Sequence, residues 1–116
     1  MVVKKTKSVL QGDIVFTNFS PQMGHEQAGR RPAVVISNNT FNEKTGSAVV
    51  CPITSRETCS PLHVRLSGNT QTQGTILCDQ IKTLDLGAHG FDVIESIPFD
   101  ILDGVVEIVL AMIEIC

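Results

Sequence analysis

Two apolar runs give the clearest strand signals in the sequence: Pro-Ala-Val-Val-Ile-Ser at residues 32–37 and Ser-Ala-Val-Val-Cys-Pro-Ile-Thr at residues 47–54. Each run is short and rich in β-branched side chains, which is typical of a strand buried on both faces. Pro52 in the second run indicates a bulge or a sheet edge, because proline cannot donate to a strand ladder. The polar residues 38–46 between the runs predict a turn-rich hairpin connection.

Strand-like stretches extend on both sides of these runs, at residues 13–19, 63–66, 74–80 with 81–84, and 91–97. In the stretch 63–66, alternation turns Val64 and Leu66 inward. The pattern changes near the C-terminus, where Pro98 and Asp100 suit the first turn of a helix. Apolar residues from Ile101 onwards cover more than one face of that helix, which predicts self-association as a dimer. Several short strands and one terminal helix predict a small barrel or an α+β domain.

The length of 116 residues suits one domain and is too short for two. The net charge of −3 hides an asymmetry: residues 1–66 carry eight Lys and Arg against four acids, and residues 67–116 carry one against eight. A polyanion would therefore meet the N-terminal half. With no Trp and no Tyr, any grip on nucleic acid must rely mainly on charge and hydrogen bonds.

The four cysteines, at positions 51, 59, 78 and 116, form no C-x-x-C pair and no zinc spacing with the three histidines. The sequence therefore predicts no metal and no cofactor. Cysteines inside apolar runs favour a reduced, cytoplasmic chain. We expect no signal peptide and no membrane span, because no apolar segment follows the N-terminal lysines and the C-terminal apolar stretch is interrupted by acids.

The polar segment Gly-His-Glu-Gln-Ala-Gly-Arg-Arg-Pro at residues 24–32 runs from an eleven-residue connection (20–30) into a buried strand. So long a connection in so small a domain is usually functional. Arg31 offers a phosphate a rigid fork of donors, His25 titrates near neutrality, and Glu26 can orient the histidine or accept a proton. The competing interpretation is a turn with two solvated arginines.

Two further polar clusters follow strands. The segment Thr54-Ser55-Arg56 presents two hydroxyls that suit phosphate oxygens, although such hydroxyls commonly bond to nearby backbone. Alternation turns Asp79 away from Gln80; Asp79 is interpreted as a base, as a partner of Arg31, or as a buried acid that ties loops to the sheet. No phosphate loop, serine-hydrolase elbow or metalloprotease motif is present, so phosphodiester chemistry would have to run without a metal.

Four segments in order resemble the MazF/PemK/Kid toxins of bacterial toxin–antitoxin modules: G-D-I-V at 12–15, S-P-x-x-G-H-E-Q-A-G-R-R-P-A-V-V-I-S at 20–37, V-C-P-I-T-S at 50–55 and L-C-D-Q-I-K-T-L-D at 77–85. The H-E-Q version is most similar to the PemK/Kid branch. The resemblance implies a mainly β fold, an SH3-like small β-barrel of the CcdB/Kid/MazF type with a C-terminal α-helix, forming a homodimer. The domain would span 1–116, with an N-terminal arm at 1–11, the barrel at 12–97 and the helix at 98–115.

The resemblance also implies a metal-independent, sequence-specific endoribonuclease that cuts single-stranded RNA. Attack of the ribose 2′-OH on the neighbouring phosphate would give a 2′,3′-cyclic phosphate and a free 5′-OH. By position, Arg31 and Thr54 match the catalytic arginine and threonine of the family. Arg31 is favoured as the stabiliser of the pentavalent phosphorane, because it holds its proton too tightly to act as a base. Thr54 is favoured as the ligand of a non-bridging oxygen.

Asp79 matches the aspartate proposed as base in the PemK/Kid branch, and His25 matches its loop histidine. The activator of the 2′-OH stays open among His25, Glu26 and Asp79. Leu77 stands where that branch has a basic residue proposed as general acid, so this role would pass to Arg31 or His25. The residues expected to bind RNA are Gln27, Arg30, Ser55, Arg56 and Gln80.

The implied partner is a MazE/PemI-like antitoxin whose acidic, partly disordered tail would cover the active groove. The alternative class is a non-enzymatic toxin that binds a protein such as DNA gyrase, as CcdB-like toxins do. The Arg-Pro and Thr-Ser pairs at residues 31–32 and 54–55 favour the ribonuclease, because a gyrase binder does not need them.

Overall fold

An antiparallel sheet and three helices make up residues 8–19 and 30–115, the part of the chain that our computed structural model describes (backbone only at position 89). The strands are β1 (Asp13–Asn18), β2 (Arg30–Val35), β3 (Ser47–Thr54), β4 (His63–Arg65), β5 (Thr75–Leu77), β6 (Lys82–Asp85) and β7 (Phe91–Ser96). The helices are α1 (Asn39–Thr45), α2 (Leu86–His89) and α3 (Phe99–Ile113). None of these helices combines the length and apolar character needed to cross a membrane.

Strand β3 organises the sheet, whose order is β4-β5-β3-β2-β1-β7 with β6 also paired to β3. Along its outer edge β3 pairs first with β6, over Ser47 to Val50, and then with β5, over Ile53 and Thr54. The change of partner falls around Pro52, which has no N–H to donate. Pro52 is buried opposite Ala33 of β2. Pro52 was predicted to mark a bulge or a sheet edge. In the structure it lies inside the sheet, where β3 changes its pairing partner from β6 to β5.

Each face of the sheet carries its own apolar core. The face beneath α3 buries Ile14, Val34, Cys51, Ile53, Ile76, Cys78, Val105 and Val109, among others. The opposite face buries Val9, Val15, Ala33, Val35, Ala48, Val50, Leu84 and Leu86. Burial of each large aliphatic side chain contributes about 1.5–3 kcal/mol, so the two cores hold the strands rigid on both sides.

Residues 39–45 form the short helix α1, so the prediction of a turn-rich connection is wrong there. The Asn38 side chain accepts a hydrogen bond from the Phe41 N–H at 2.9 Å, which caps the first turn. Gly46 ends the helix with φ 72° and donates its N–H to the Asn42 carbonyl at 3.0 Å. Asparagine and glycine serve helix caps as readily as turns, which explains the error.

The predicted extended stretch 74–80 is extended only over Thr75–Leu77. The Gln80 N–H donates to the Leu77 carbonyl at 3.1 Å, which closes a turn before β6 begins at Lys82. This turn carries Asp79 out of the strand. Alternation along a continuous strand therefore does not decide which way Asp79 faces.

Glu95 of β7 holds the loop before β5. Its carboxylate accepts the Gln71 N–H at 3.1 Å and both the N–H and the hydroxyl of Thr72 at 2.7 Å. Partial burial pushes the pKa of Glu95 up, but the hydrogen bonds from Thr72 and Gln71 outweigh it and leave the pKa below its ordinary value.

We expect ionised Glu95 to stabilise the fold at neutral pH and to lose this effect in acid. Because the folded-state pKa is depressed, the contribution is present above the ordinary value of 4.5 and lost as the pH falls through the folded-state pKa. In urea unfolding, Glu95→Gln should lower the free energy of unfolding by about 1 kcal/mol at pH 7, and the difference should shrink towards pH 3. The control is Glu107→Gln on the exposed side of α3. A pH-independent difference for Glu95→Gln would contradict this assignment.

Candidate active site

Arg31 and Thr54 lie at the same end of one sheet face. The last pair in the register of β2 with β3 is Ala33 opposite Pro52. Arg31 stands two residues before Ala33, and Thr54 stands two residues after Pro52. Because the strands are antiparallel and side chains alternate, both groups share the face of Ala33 and the same end of the strand pair. Arg31 is exposed and Thr54 is half-buried.

This face continues across the neighbouring strands. Arg31 is opposite Thr17 of β1, Thr54 is opposite Thr75 of β5, and Thr75 is opposite Arg65 of β4. Directly opposed residues share a face, and neighbouring strands lie about 5 Å apart. The row therefore places two guanidinium groups on one face, with the Thr54 hydroxyl between them. Such a face suits a chain of phosphates.

Thr54 has one local hydrogen bond. Its Oγ1 accepts the Arg56 N–H at 3.2 Å, as the local-backbone interpretation expected. The bond uses the oxygen as an acceptor, so the hydroxyl proton remains the group that Thr54 would donate to a phosphate oxygen. Ser55 and Arg56 follow immediately and are exposed.

Asp79 lies in the turn between β5 and β6, with its side chain 36% exposed. Its Oδ1 is 3.0 Å from Nε2 of His63, whose Nδ1 is 2.6 Å from Oγ1 of Thr58. Within the described ranges the side-chain hydrogen-bond partner of Asp79 is thus His63 and not Arg31. The interpretation of Asp79 as a buried acid is wrong, because the turn at 78–80 carries it to the surface. His63 faces Leu77 across β4 and β5.

Arg30 lies on the opposite face from Arg31. Its Nη2 is 2.7 Å from Asp92 Oδ2, and its guanidinium stacks 5.1 Å from the centroid of the Phe16 ring. Gln80 is exposed beside Asp79. The proposed RNA-binding roles of Arg30, Ser55, Arg56 and Gln80 remain predictions. The predictions of His25 and Glu26 as catalytic residues, and of Gln27 as an RNA-binding residue, fall outside the described residues.

Two polar residues of this face, His63 and Arg65, were not among the predicted site residues. The signal was present: if Val64 and Leu66 point inward, the residues that alternate with them point outward. Arg65 Nη2 bonds to Glu57 Oε2 at 2.8 Å and thereby ties the segment after Thr54 to β4.

Cys51 and Cys78 are buried in the core beneath α3 and are not joined by a disulfide. A side-chain hydrogen bond with Cys78, together with burial, raises the pKa of Cys51, so this thiol stays protonated. In residues 8–19 and 30–115 no three His, Cys, Asp or Glu side chains gather in a group that could hold a metal ion.

The fold and the site define a small barrel-like protein with an arginine- and hydroxyl-bearing face on an antiparallel sheet. The sequence model of one protein family, described as the PemK-like, MazF-like toxin of type II toxin–antitoxin system, matches residues 10–113 of this chain. The chain belongs to this family. Its predicted fold, mainly β with a C-terminal helix, is confirmed, and the described sheet is open rather than closed.

Individual relatives agree with this assignment. The chain is 42% identical over 79 residues to the endoribonuclease toxin MazF of Escherichia coli K12, covering 68% of this chain and 70% of that protein. It is 32% identical over 108 residues to the endoribonuclease PemK of Escherichia coli, covering 90% and 81%. The crystal structure of MazF from Deinococcus radiodurans superposes with a TM-score of 0.85 at 34% identity, covering 95% of this chain and all of that one.

Proposed function

We propose that this chain is the toxin of a type II toxin–antitoxin module and a cytoplasmic endoribonuclease that cuts single-stranded RNA. One observation carries the proposal: Arg31 and Thr54 share one sheet face and one end of the β2–β3 pair. The relatives MazF, PemK and EndoA are named as endoribonucleases, which supports this activity over the binding of a protein such as gyrase.

In the proposed reaction the ribose 2′ oxygen attacks the adjacent phosphorus. The O2′–P bond forms, the P–O5′ bond breaks, and the 2′-OH proton passes to a base. The leaving 5′ oxygen takes up a proton from the general acid, for which Arg31 and His25 are the candidates. Arg31 places fixed positive charge against the phosphorane, and Thr54 donates its hydroxyl to a non-bridging oxygen. Asp79 is an exposed carboxylate on the turn beside this face and is the proposed base, with His25 and Glu26 as alternatives.

The same face is the proposed site for an antitoxin. An acidic segment of a MazE-like partner would compete with RNA for Arg31 and Arg65, because both ligands are polyanionic. MazF from Deinococcus radiodurans has been crystallised with MazE, which supports a partner of this kind. A homodimer is also proposed, since Phe99, Leu110 and Ile113 leave an apolar surface on α3, 57–76% exposed.

The activity is tested with purified protein and a long single-stranded RNA in the presence of EDTA. We expect cuts at a small set of sites, each leaving a 5′-OH and a 2′,3′-cyclic phosphate, because the donors in this mechanism are protein groups. Sequencing of the 5′ ends gives the recognition sequence. Uniform degradation, or cleavage that requires an added divalent cation, would contradict the proposal.

A further inference from the structure

Thr58, His63 and Asp79 form a hydrogen-bonded chain, and the strand register places His63 on the sheet face that carries Thr54. A carboxylate accepts hydrogen bonds, so the 3.0 Å contact to Asp79 requires the proton on Nε2 of His63. In the neutral ring Nδ1 then accepts from the Thr58 hydroxyl, 2.6 Å away. With the proton on Nε2 alone, the direction of donation runs from Thr58 through His63 to Asp79.

The side chains of His63 and Asp79 differ in exposure, which distinguishes a positioning role from direct contact with the substrate. The Asp79 side chain is 36% exposed, whereas that of His63 is 14% exposed. His63 begins strand β4 and faces Leu77, so its backbone is held by the sheet while Asp79 projects from a turn. A shielded ring on a rigid strand that contacts an exposed carboxylate on a turn is arranged to orient that carboxylate rather than to touch the substrate itself.

We propose that His63 is the positioning residue for Asp79 in the cleavage reaction, and this inference rests on the proposed ribonuclease function. The bond through Oδ1 fixes the plane of the carboxylate. The Nε2–H donor contacts Oδ1 alone, so a proton can be accepted at the other carboxylate oxygen, Oδ2. Leu77, two residues before Asp79, is apolar, and the ring that reaches Asp79 comes from the neighbouring strand β4.

The chain also connects Asp79 to the segment that follows Thr54. Thr58 belongs to this segment, which a second contact, Glu57 with Arg65 at 2.8 Å, ties to β4. Of these two contacts with β4, only the one between Thr58 and His63 is linked by a further hydrogen bond to the Asp79 carboxylate. Glu57 therefore offers a matched control: its loss loosens the same segment without removing a hydrogen bond from Asp79.

The test compares His63→Ala, His63→Gln and Glu57→Gln in steady-state cleavage of an RNA oligonucleotide that contains one mapped site. We expect His63→Ala to lower kcat about 10- to 100-fold with KM changed less than about threefold. The reason is that displacing a catalytic group by about 1 Å can slow the reaction by about 100-fold. His63→Gln keeps an N–H near the Nε2 position and should recover most of the rate. Glu57→Gln should leave kcat within about twofold of the wild type.

A double mutant separates positioning from an independent role. If His63 acts through Asp79, then His63→Ala in an Asp79→Asn background should lower the residual kcat less than about threefold. The inference is overturned by wild-type kcat in His63→Ala, by multiplicative losses in the double mutant, or by a loss that follows thermal stability and is not recovered in His63→Gln. A wild-type protein that does not cut RNA would instead refute the proposed function.

Discussion

Replacement of Arg31 by alanine should slow RNA cleavage by about 100- to 1000-fold at saturating RNA. Arg31 is exposed at the end of β2, which the core holds on both faces, so its guanidinium can be presented to a phosphate with little reorganisation. Loss of one fixed donor to a developing oxyanion costs about 3–4 kcal/mol in the transition state. The measurement is kcat under single-site conditions in EDTA.

Two further variants identify the source of the effect. Arg31→Lys keeps the charge but loses the planar fork, so it should restore only part of the rate. Arg30→Ala removes the adjacent arginine, which lies on the opposite face and pairs with Asp92 at 2.7 Å. Its effect should fall on KM and stay within about fivefold, since an exposed ion pair contributes little. Equal kcat losses in Arg30→Ala and Arg31→Ala would refute the assignment of Arg31 to the reaction.

Replacement of Gly74 by alanine should destabilise the protein by about 3 kcal/mol, the largest stability effect we expect from a single methyl group. Gly74 has φ +134°, a conformation that side chains disfavour, and an added Cβ would lie 2.4 Å from the Thr54 carbonyl oxygen. That oxygen belongs to the backbone of β3 and cannot move without displacing the Thr54 end of the site.

The matched control is Gly68→Ala in the preceding loop, where an added Cβ meets no heavy atom within 4 Å. Its free energy of unfolding should change by less than about 0.5 kcal/mol. Both variants are compared by urea unfolding at pH 7. Equal stability of the two variants would show that the close approach of Gly74 to β3 is absent in solution.

Much of the fold follows from local patterns. The β-branched runs at 32–37 and 47–54 become β2 and β3, and the terminal apolar helix forms over Phe99–Ile113. These elements are predictable because β-branched packing and helical periodicity are properties of neighbouring residues. Helix α1 was missed because the same Asn and Gly residues serve turns and helix caps, and tertiary packing selects between them.

Some features of the candidate site were likewise predictable from the sequence, and others depend on the tertiary structure. The segments around Arg31, Thr54 and Asp79 are recognisable in the chain because each is a contiguous motif. The pairing of Asp79 with His63 is not, because sixteen residues separate them and they meet only when β4 pairs with β5 and a turn follows Leu77. Local residue order is enough to specify strands and motifs, whereas the partner of a side chain depends on strand register, which is set by the packing of the whole sheet.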